Sequence, residues 1–107
     1  MPMPNLLFAF ADQWRAHAFG YAGDTNVHTP RLDAFAAQSI SLVNSASTVP
    51  VCSPWRACML TGQYPLTHGI IVNNHPLHSR PVSFAEAFNR AGYHTGYVGK
   101  WHVDGHG

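Results

Sequence analysis

A chain of 107 residues is long enough for one small core, and a composition of 46% hydrophobic and 10% charged residues predicts a folded chain rather than a disordered tail. Six Lys and Arg against five Asp and Glu leave a net charge of +1, so no basic field favours nucleic acid as a partner and no acidic run indicates a solvating tail. Few charges on so short a chain indicate that something else covers much of its surface. We therefore interpret residues 1–107 as the incomplete N-terminal part of a larger domain.

The two cysteines and the start of the chain bear on its cellular location. Cys52 and Cys58 are too few for a disulfide scaffold and lie in no zinc-binding spacing, so we interpret both as free thiols. Residues 1–5 carry no basic segment typical of a signal peptide, and the apolar run Leu6 to Ala11 is too short for a membrane span. These features predict a cytoplasmic protein without a membrane partner.

The first half of the chain predicts two strands and one helix. The continuous apolar run Leu6 to Ala11 is typical of a buried parallel strand, and it delivers Asp12 to the carboxyl end, where open α/β sheets bind ligands. The Thr29–Pro30 pair predicts a helix that extends to about Gln38, because proline is favoured directly after a capping residue. Ser39 to Val43 alternates in polarity and predicts a second strand.

The segment around Cys52 predicts a reactive site at the start of a helix. Ser53 can cap this helix, Pro54 suits its first position, and Gly62 can close it. Cys52 then lies at the positive end of the helix dipole, which favours a developing anion. Arg56 lies within the first turn, where its planar guanidinium can hold the oxygens of a sulfate or phosphate group. The alternative is a buried cysteine beside a structural arginine.

A capping box marks the start of the clearest helix in the sequence. Ser83 and Glu86 supply the box, apolar residues recur after it at helical spacing, and Gly92 can end the helix. The segment Tyr93 to Val98 then predicts a strand. Lys100 follows the end of that strand, so a polar residue again comes directly after an apolar segment.

Two motifs in this order resemble the signature of the type I sulfatases. The run Cys52 to Arg56, with Leu60 to Gly62 after it, matches the pattern Cys-x-Pro-x-Arg with a trailing Thr-Gly, in which the family's cysteine is oxidised to formylglycine. The segment Gly99 to His102 is similar to the family's Gly-Lys-Trp-His segment and lies at about the family's separation. The resemblance implies an α/β, alkaline-phosphatase-like fold with a mainly parallel sheet flanked by helices.

The resemblance also implies a role for each residue of these motifs. As formylglycine, Cys52 presents a hydrated aldehyde: one hydroxyl attacks sulfur, and the other later expels the inorganic anion as the aldehyde re-forms. Arg56 stabilises the oxyanion, and Lys100 donates to the oxygens of the transferred group. His102 hydrogen-bonds the second hydroxyl and helps to remove its proton, a task that suits a side chain titrating near neutrality. A formylglycine-generating maturation enzyme is the implied partner.

Asp12 and Gln13 resemble the family's first metal-binding pair, which many members write as two aspartates. The resemblance implies a divalent cation held by Asp12, Gln13 and the converted Cys52. Oxygen ligands suit a hard cation, Ca²⁺ above all, with Mg²⁺ or Mn²⁺ as alternatives. An aspartate that caps a turn at the end of a strand is the alternative for Asp12. The family's later ligands have no counterpart here, so we expect weak metal binding.

Positions around these motifs carry further expectations. His68 follows the family's Tyr-Pro-x-x-His-Gly pattern, and we expect it to be structural. Asn73 or Asn74 is expected to reach the active site from its loop. Cys58 lacks the proline and arginine context of Cys52, and we expect it to pack within the helix.

The sequence thus favours a sulfuric ester hydrolase that acts on a small-molecule sulfate ester, with the isolated chain incomplete and weakly active or inactive. Gln13 favours an alternative on the same scaffold, a phosphonate monoester hydrolase or phosphodiesterase, whereas Trp101 disfavours it. A non-catalytic fragment that acts as an interaction module is the alternative from another class.

Overall fold

The structure, a computed structural model, describes residues 3–77 and 82–105. The chain divides into two compact units, Met1–Ser45 and Ala46–Gly107. In the described part of the first unit, the regular elements are a 3₁₀ turn over Gly20–Ala22 and helix α1 over Pro30–Ala36. In the described part of the second unit, they are the helices α2 (Cys52–Thr61), α3 (Pro65–His68) and α4 (Phe84–Arg90).

In the first unit, Thr29 and Asp33 tie α1 to the 3₁₀ turn. The Thr29 hydroxyl accepts the Gly20 N–H at 2.8 Å and donates to the Asp33 carboxylate at 2.8 Å. The same carboxylate oxygen accepts the Tyr21 N–H at 2.9 Å. Because Asp33 lies in the first turn of α1, its negative charge also suits the positive end of that helix. Local polar contacts therefore fix the turn against the start of α1.

In the second unit, α2 packs against both α3 and α4. Ala57 and Leu60 of α2 join a small buried core that Ile70 and Val103 complete. The Val103 carbonyl also accepts the Leu77 N–H at 3.1 Å. The burial of Val103 anchors the segment that precedes it against the same core as α2.

The predicted capping box forms at the start of α4. Ser83 Oγ accepts the Glu86 N–H at 3.2 Å, and the Glu86 carboxylate accepts the Ser83 N–H at 2.8 Å. Gly92 follows the helix with φ 89°, a left-handed backbone that favours glycine because no Cβ is present to clash. The predicted helix and its glycine end are confirmed.

The three predicted strands do not form in the part of the chain that the structure describes. Leu6 to Ala11, Ser39 to Val43 and Tyr93 to Val98 are irregular, and no strand forms within the described residues. A strand exists only through backbone hydrogen bonds to a neighbouring strand, and none of the three segments forms such a ladder. Apolar side chains of these segments are exposed, as Leu7 is at 89%. The mainly parallel sheet of the expected α/β fold is therefore absent from the described ranges.

Candidate active site

Helix α2 begins at Cys52 rather than after a Ser53 cap, so that expectation is wrong. The capping position belongs to Val51, whose backbone is extended (φ −125°, ψ 147°) and whose side chain makes no capping hydrogen bond. Ser53 and Pro54 consequently lie in the first turn. Pro54 has no N–H, which suits a turn whose amides lack intrahelical acceptors. Gly62 ends the helix with φ 66°, as expected.

A loop side chain caps α2 instead. Asn73 Oδ1 accepts the Ser53 N–H at 2.9 Å, which satisfies one of the first-turn amides. Ser53 is buried, and within the described residues its hydroxyl has no hydrogen-bond partner. The Ser53 side chain is therefore not the cap, because an acceptor from a distant loop has taken that position. Asn73, one of the two asparagines expected to reach the active site, thus contacts the residue next to Cys52.

Cys52 combines partial burial with the positive end of α2. It is a free cysteine and half-buried. The peptide dipoles of this helix of 10 residues leave a partial positive charge at its first turn. Arg56 follows four residues later, so it shares a helix face with Cys52. Both features favour negative charge near position 52.

The Arg56 side chain joins α2 to the second motif. Arg56 is only 3% exposed, and a buried guanidinium is stable only when hydrogen-bonded. Its Nη1 donates to the Tyr97 hydroxyl at 2.9 Å and to the Lys100 carbonyl. The Tyr97 hydroxyl donates to the same carbonyl. These three groups form a closed triangle of hydrogen bonds, which holds the Lys100 backbone against α2.

The segment from Gly99 to Val103 has an unusual backbone. Gly99 has φ 116° and His102 has φ 54°, and the second value is uncommon for a residue with a side chain. Such a conformation costs on the order of 1–2 kcal/mol and persists only where the surroundings impose it. Both ring nitrogens of His102 are buried, and within the described residues neither has a hydrogen-bond partner. Backbone strain and unpaired ring nitrogens therefore coincide at one residue.

The structure places the four residues that were predicted to be catalytic in the second unit. Cys52 and Arg56 share α2, and Arg56 holds the backbone of Lys100. The Lys100 side chain is exposed, and His102 follows within the same segment. The structure thus joins both motifs within one unit, while the chemical roles of these residues stay predictions.

Asp12 and Gln13 lie in the first unit, where both are exposed and follow the irregular segment Leu6 to Ala11. Cys52 lies in the second unit. Among the residues described, no group of three or more His, Cys, Asp or Glu side chains is arranged to hold a metal ion. Two oxygen donors do not make a coordination shell for a hard cation, which takes six or more ligands in the case of Ca²⁺. The oxygen donors of Asp12 and Gln13 are compatible with a hard cation, but the described residues supply no complete shell for it.

A second cysteine and a histidine meet on the other side of α2. Cys58 Sγ lies 3.4 Å from His68 Nε2, and His68 Nδ1 accepts the Ile70 N–H at 3.1 Å. Because Nδ1 is an acceptor, the neutral ring carries its proton on Nε2 and donates it to the sulfur. Burial lowers the pKa of His68, which keeps the ring neutral. His68 and Cys58 therefore pack together as structural groups, beside a surface cavity of about 300 Å³ that Cys58 lines.

Two features of this region were not predicted from the sequence: the contacts of the Tyr97 hydroxyl, and the pairing of Cys58 with His68. Tyr97 lies in a segment that was interpreted as a strand, and no motif marks its hydroxyl. The contact of Cys58 with His68 joins residues that are adjacent only in space. The family's Tyr-Pro-x-x-His-Gly pattern marks His68 in the sequence, but it does not indicate that Cys58 is the residue that His68 contacts.

Within residues 3–77 and 82–105, no helix combines the length and the apolar character that crossing a bilayer requires. The predicted cytoplasmic location stays a prediction.

The known proteins that this chain resembles are named as sulfatases. The profile of the sulfatase family matches residues 4–107. An ulvan-active sulfatase of Formosa agariphila is 50% identical over 103 residues, which cover 96% of this chain and 20% of that protein. An endo-4-O-sulfatase of Bacteroides thetaiotaomicron is 36% identical, over 94% of this chain and 23% of its own length. The sulfatase YidJ of Escherichia coli, itself uncharacterised, is also 36% identical, over 99% of this chain and 21% of its own length.

The chain spans about a fifth of the length of these curated relatives. No solved structure matches it at a significant level.

Proposed function

Because this chain belongs to the sulfatase family, we propose that the full-length protein is a sulfuric ester hydrolase whose nucleophile is Cys52 after conversion to formylglycine. The observation that carries the proposal is the bond from Arg56 to the Lys100 carbonyl, which connects the two motifs. An arginine that only stabilises the fold beside an ordinary buried cysteine would not need to contact the second motif. In a reaction centre this contact is needed, because the nucleophile and the groups that neutralise developing charge must be held together.

Four residues of this chain are proposed to act in the reaction. As formylglycine, Cys52 supplies a hydrated aldehyde. One of its hydroxyls attacks sulfur as the bond from sulfur to the ester oxygen breaks and the alcohol leaves, and the second hydroxyl later expels sulfate as the aldehyde re-forms. The first turn of α2 and the Arg56 guanidinium favour the negative charge on the attacking oxygen. Lys100, whose side chain is exposed, donates to the sulfate oxygens. His102 takes the proton of the second hydroxyl through a ring nitrogen, since neither of its ring nitrogens has a hydrogen-bond partner among the described residues.

Asp12 and Gln13 are proposed as part of the shell of a divalent cation, most readily Ca²⁺, together with the converted Cys52. Their side chains supply one carboxylate and one amide oxygen donor, which suits a hard cation. Bound there, such a cation would stabilise negative charge at position 52. Ligands beyond this pair are expected from other parts of the full-length protein, in line with the absence of a larger cluster in the described residues.

We propose further that the chain is the N-terminal part of the catalytic domain. It spans about a fifth of the length of its relatives, and apolar segments such as Leu6 to Ala11 are exposed. In the family's α/β fold these segments are expected to pair as strands once the rest of the domain is present. The isolated chain is accordingly expected to turn over sulfate esters weakly or not at all.

The names of two relatives direct the choice of substrate. The ulvan-active sulfatase and the endo-4-O-sulfatase are both named for sulfate esters. We propose a sulfate ester as the substrate, with sulfated carbohydrate as the first class to test. Gln13 favours the rival reaction, hydrolysis of a phosphonate monoester or a phosphodiester, so both kinds of ester belong in the same assay.

The test uses the full-length protein, produced together with a formylglycine-generating enzyme. We expect it to hydrolyse an aryl sulfate and a sulfated carbohydrate faster than a phenyl phosphonate, and Cys52→Ala to abolish this activity. Cys58→Ala is the matched control, because it removes a thiol from the same helix without removing the proposed nucleophile. Equal activity in Cys52→Ala and Cys58→Ala would refute the proposed nucleophile. A preference for the phosphonate would establish the rival reaction instead.

A further inference from the structure

Tyr97 lies between the two motifs and has no role in the function proposed above. Its hydroxyl accepts from Arg56 Nη1 at 2.9 Å and donates to the Lys100 carbonyl. Its ring packs edge-on against the Trp101 ring, with the centroids 5.1 Å apart and the planes at 85°. Tyr97 therefore contacts two successive residues of the second motif, one through its hydroxyl and one through its ring.

This segment needs such support because regular structure does not provide it. Residues 99–103 belong to neither helix nor strand in the described chain, and Gly99 and His102 both have positive φ. A segment with this backbone keeps one conformation only where side-chain contacts impose it. Two points of this segment are held in place: the Lys100 carbonyl, which Tyr97 and Arg56 bond, and the buried Val103.

The direction of the Lys100 carbonyl determines the geometry of the residues that follow. A peptide unit is planar, so two donors on that oxygen fix the orientation of the plane that leads into Trp101. Trp101 is in turn packed on the Tyr97 ring. His102 comes next, and its backbone is the strained one. Loss of the Tyr97 hydroxyl removes one hydrogen bond to this carbonyl, and the bond from Arg56 remains.

We infer that Tyr97 is a positioning residue, whose hydroxyl sets the conformation of Lys100 to His102 against the helix that begins at Cys52. The inference rests on the proposed function, because Tyr97 acts on the reaction only through Lys100 and His102. Tyr97 is not proposed to contact the substrate or Cys52. Its substitution should consequently change the rate of the chemical step more than substrate binding.

Tyr97→Phe tests this in the full-length protein, because it removes the hydroxyl and keeps the ring on Trp101. Tyr93→Phe is the matched control: Tyr93 packs edge-on against Phe88 and lies outside the triangle. We expect Tyr97→Phe to lower kcat by about tenfold to a hundredfold, the cost of a small misplacement of reacting groups, while KM changes by less than about twofold. We also expect the pH profile of kcat/KM to shift, which a mere loss of folded enzyme cannot cause.

A measurement without turnover separates this inference from the proposed function. Peptide-level hydrogen exchange should become faster at residues 99–102 in Tyr97→Phe, with exchange in α2 unchanged, and should stay at wild-type rates in Tyr93→Phe. Unchanged exchange at 99–102, or kinetics equal to those of Tyr93→Phe, would overturn the positioning role. A wild-type protein that cleaves no sulfate ester would refute the proposed function, and the exchange result would still decide whether Tyr97 holds this segment.

Discussion

Asn73 Oδ1 lies 2.9 Å from the backbone nitrogen of Ser53, so a loop side chain caps the helix on which Cys52 is the first residue. The cap ties the loop to the residue adjacent to the proposed nucleophile. It also leaves the buried Ser53 side chain without a capping role. The same hydrogen bond therefore stabilises the start of α2 and holds the loop in place.

Asn73→Ala should destabilise the full-length protein by about 1 kcal/mol, because the Ser53 N–H loses its acceptor. Asn73→Asp is the control: it keeps an acceptor oxygen and adds a negative charge that the positive end of α2 favours. Thermal unfolding of the three proteins measures this effect. A melting temperature of Asn73→Ala equal to that of wild type, or Asn73→Asp as unstable as Asn73→Ala, would contradict the capping role.

Lys100→Ala should lower kcat of the full-length enzyme on the order of a hundredfold or more, since it removes one preorganised donor to the transferred group. Stability should hardly change, because it is the Lys100 backbone carbonyl that bonds Arg56 and Tyr97. Steady-state kinetics and thermal unfolding on the same preparation check both statements. Wild-type kcat in Lys100→Ala would remove lysine from the mechanism.

His102 allows its chemical role and its strained backbone to be separated. His102→Ala and His102→Gly both remove the ring, so both should lower kcat on the order of a hundredfold or more. Glycine accepts φ 54° without strain, so His102→Gly should be more stable than His102→Ala by roughly 1 kcal/mol. Kinetics and unfolding of the pair test this. Activity retained in either variant would show that the ring does not act in the reaction.

His68 predicts a pH dependence of stability. Burial lowers its pKa below the value of about 6.5 that holds in the unfolded chain. Between the two values the unfolded state binds more protons, so its contribution to stability is present above pH 6.5 and is lost as pH falls through the lowered pKa. His68→Gln should flatten the loss of melting temperature between neutral and mildly acidic pH. His94→Gln, which removes an exposed histidine, should not; equal slopes in all three proteins would contradict the assignment.

The local signals of the sequence were sufficient for several elements. The Thr29–Pro30 pair predicted where α1 begins, and the Ser83–Glu86 capping box predicted α4. Gly62 was correctly predicted to end α2. Each of these signals acts within one turn of the chain, so the residues that determine the structure are neighbours in sequence. The family resemblance drawn from the two motifs is likewise confirmed, by a match over residues 4–107.

Nonlocal contacts explain what the sequence could not predict. Leu6 to Ala11 has the composition of a buried strand, but a strand forms only with a partner, and composition does not supply one. The start of α2 was misplaced because Asn73, from a distant loop, provides the acceptor that Ser53 was expected to provide. Tyr97 was missed for the same reason, since its contact with Arg56 joins separate segments.

The chemical state of Cys52 in the full-length protein, made with a formylglycine-generating enzyme, tests the proposed nucleophile. Trypsin separates the two cysteines, because cleavage after Arg31 and Arg56 leaves Cys52 in one peptide and Cys58 in the next. We predict that mass spectrometry finds an aldehyde in place of the thiol in the peptide that ends at Arg56, and an unchanged thiol at Cys58. An intact Cys52 thiol in a clearly observed peptide, from a host that converts a known substrate of the maturation enzyme, would show that Cys52 is not the formylglycine nucleophile.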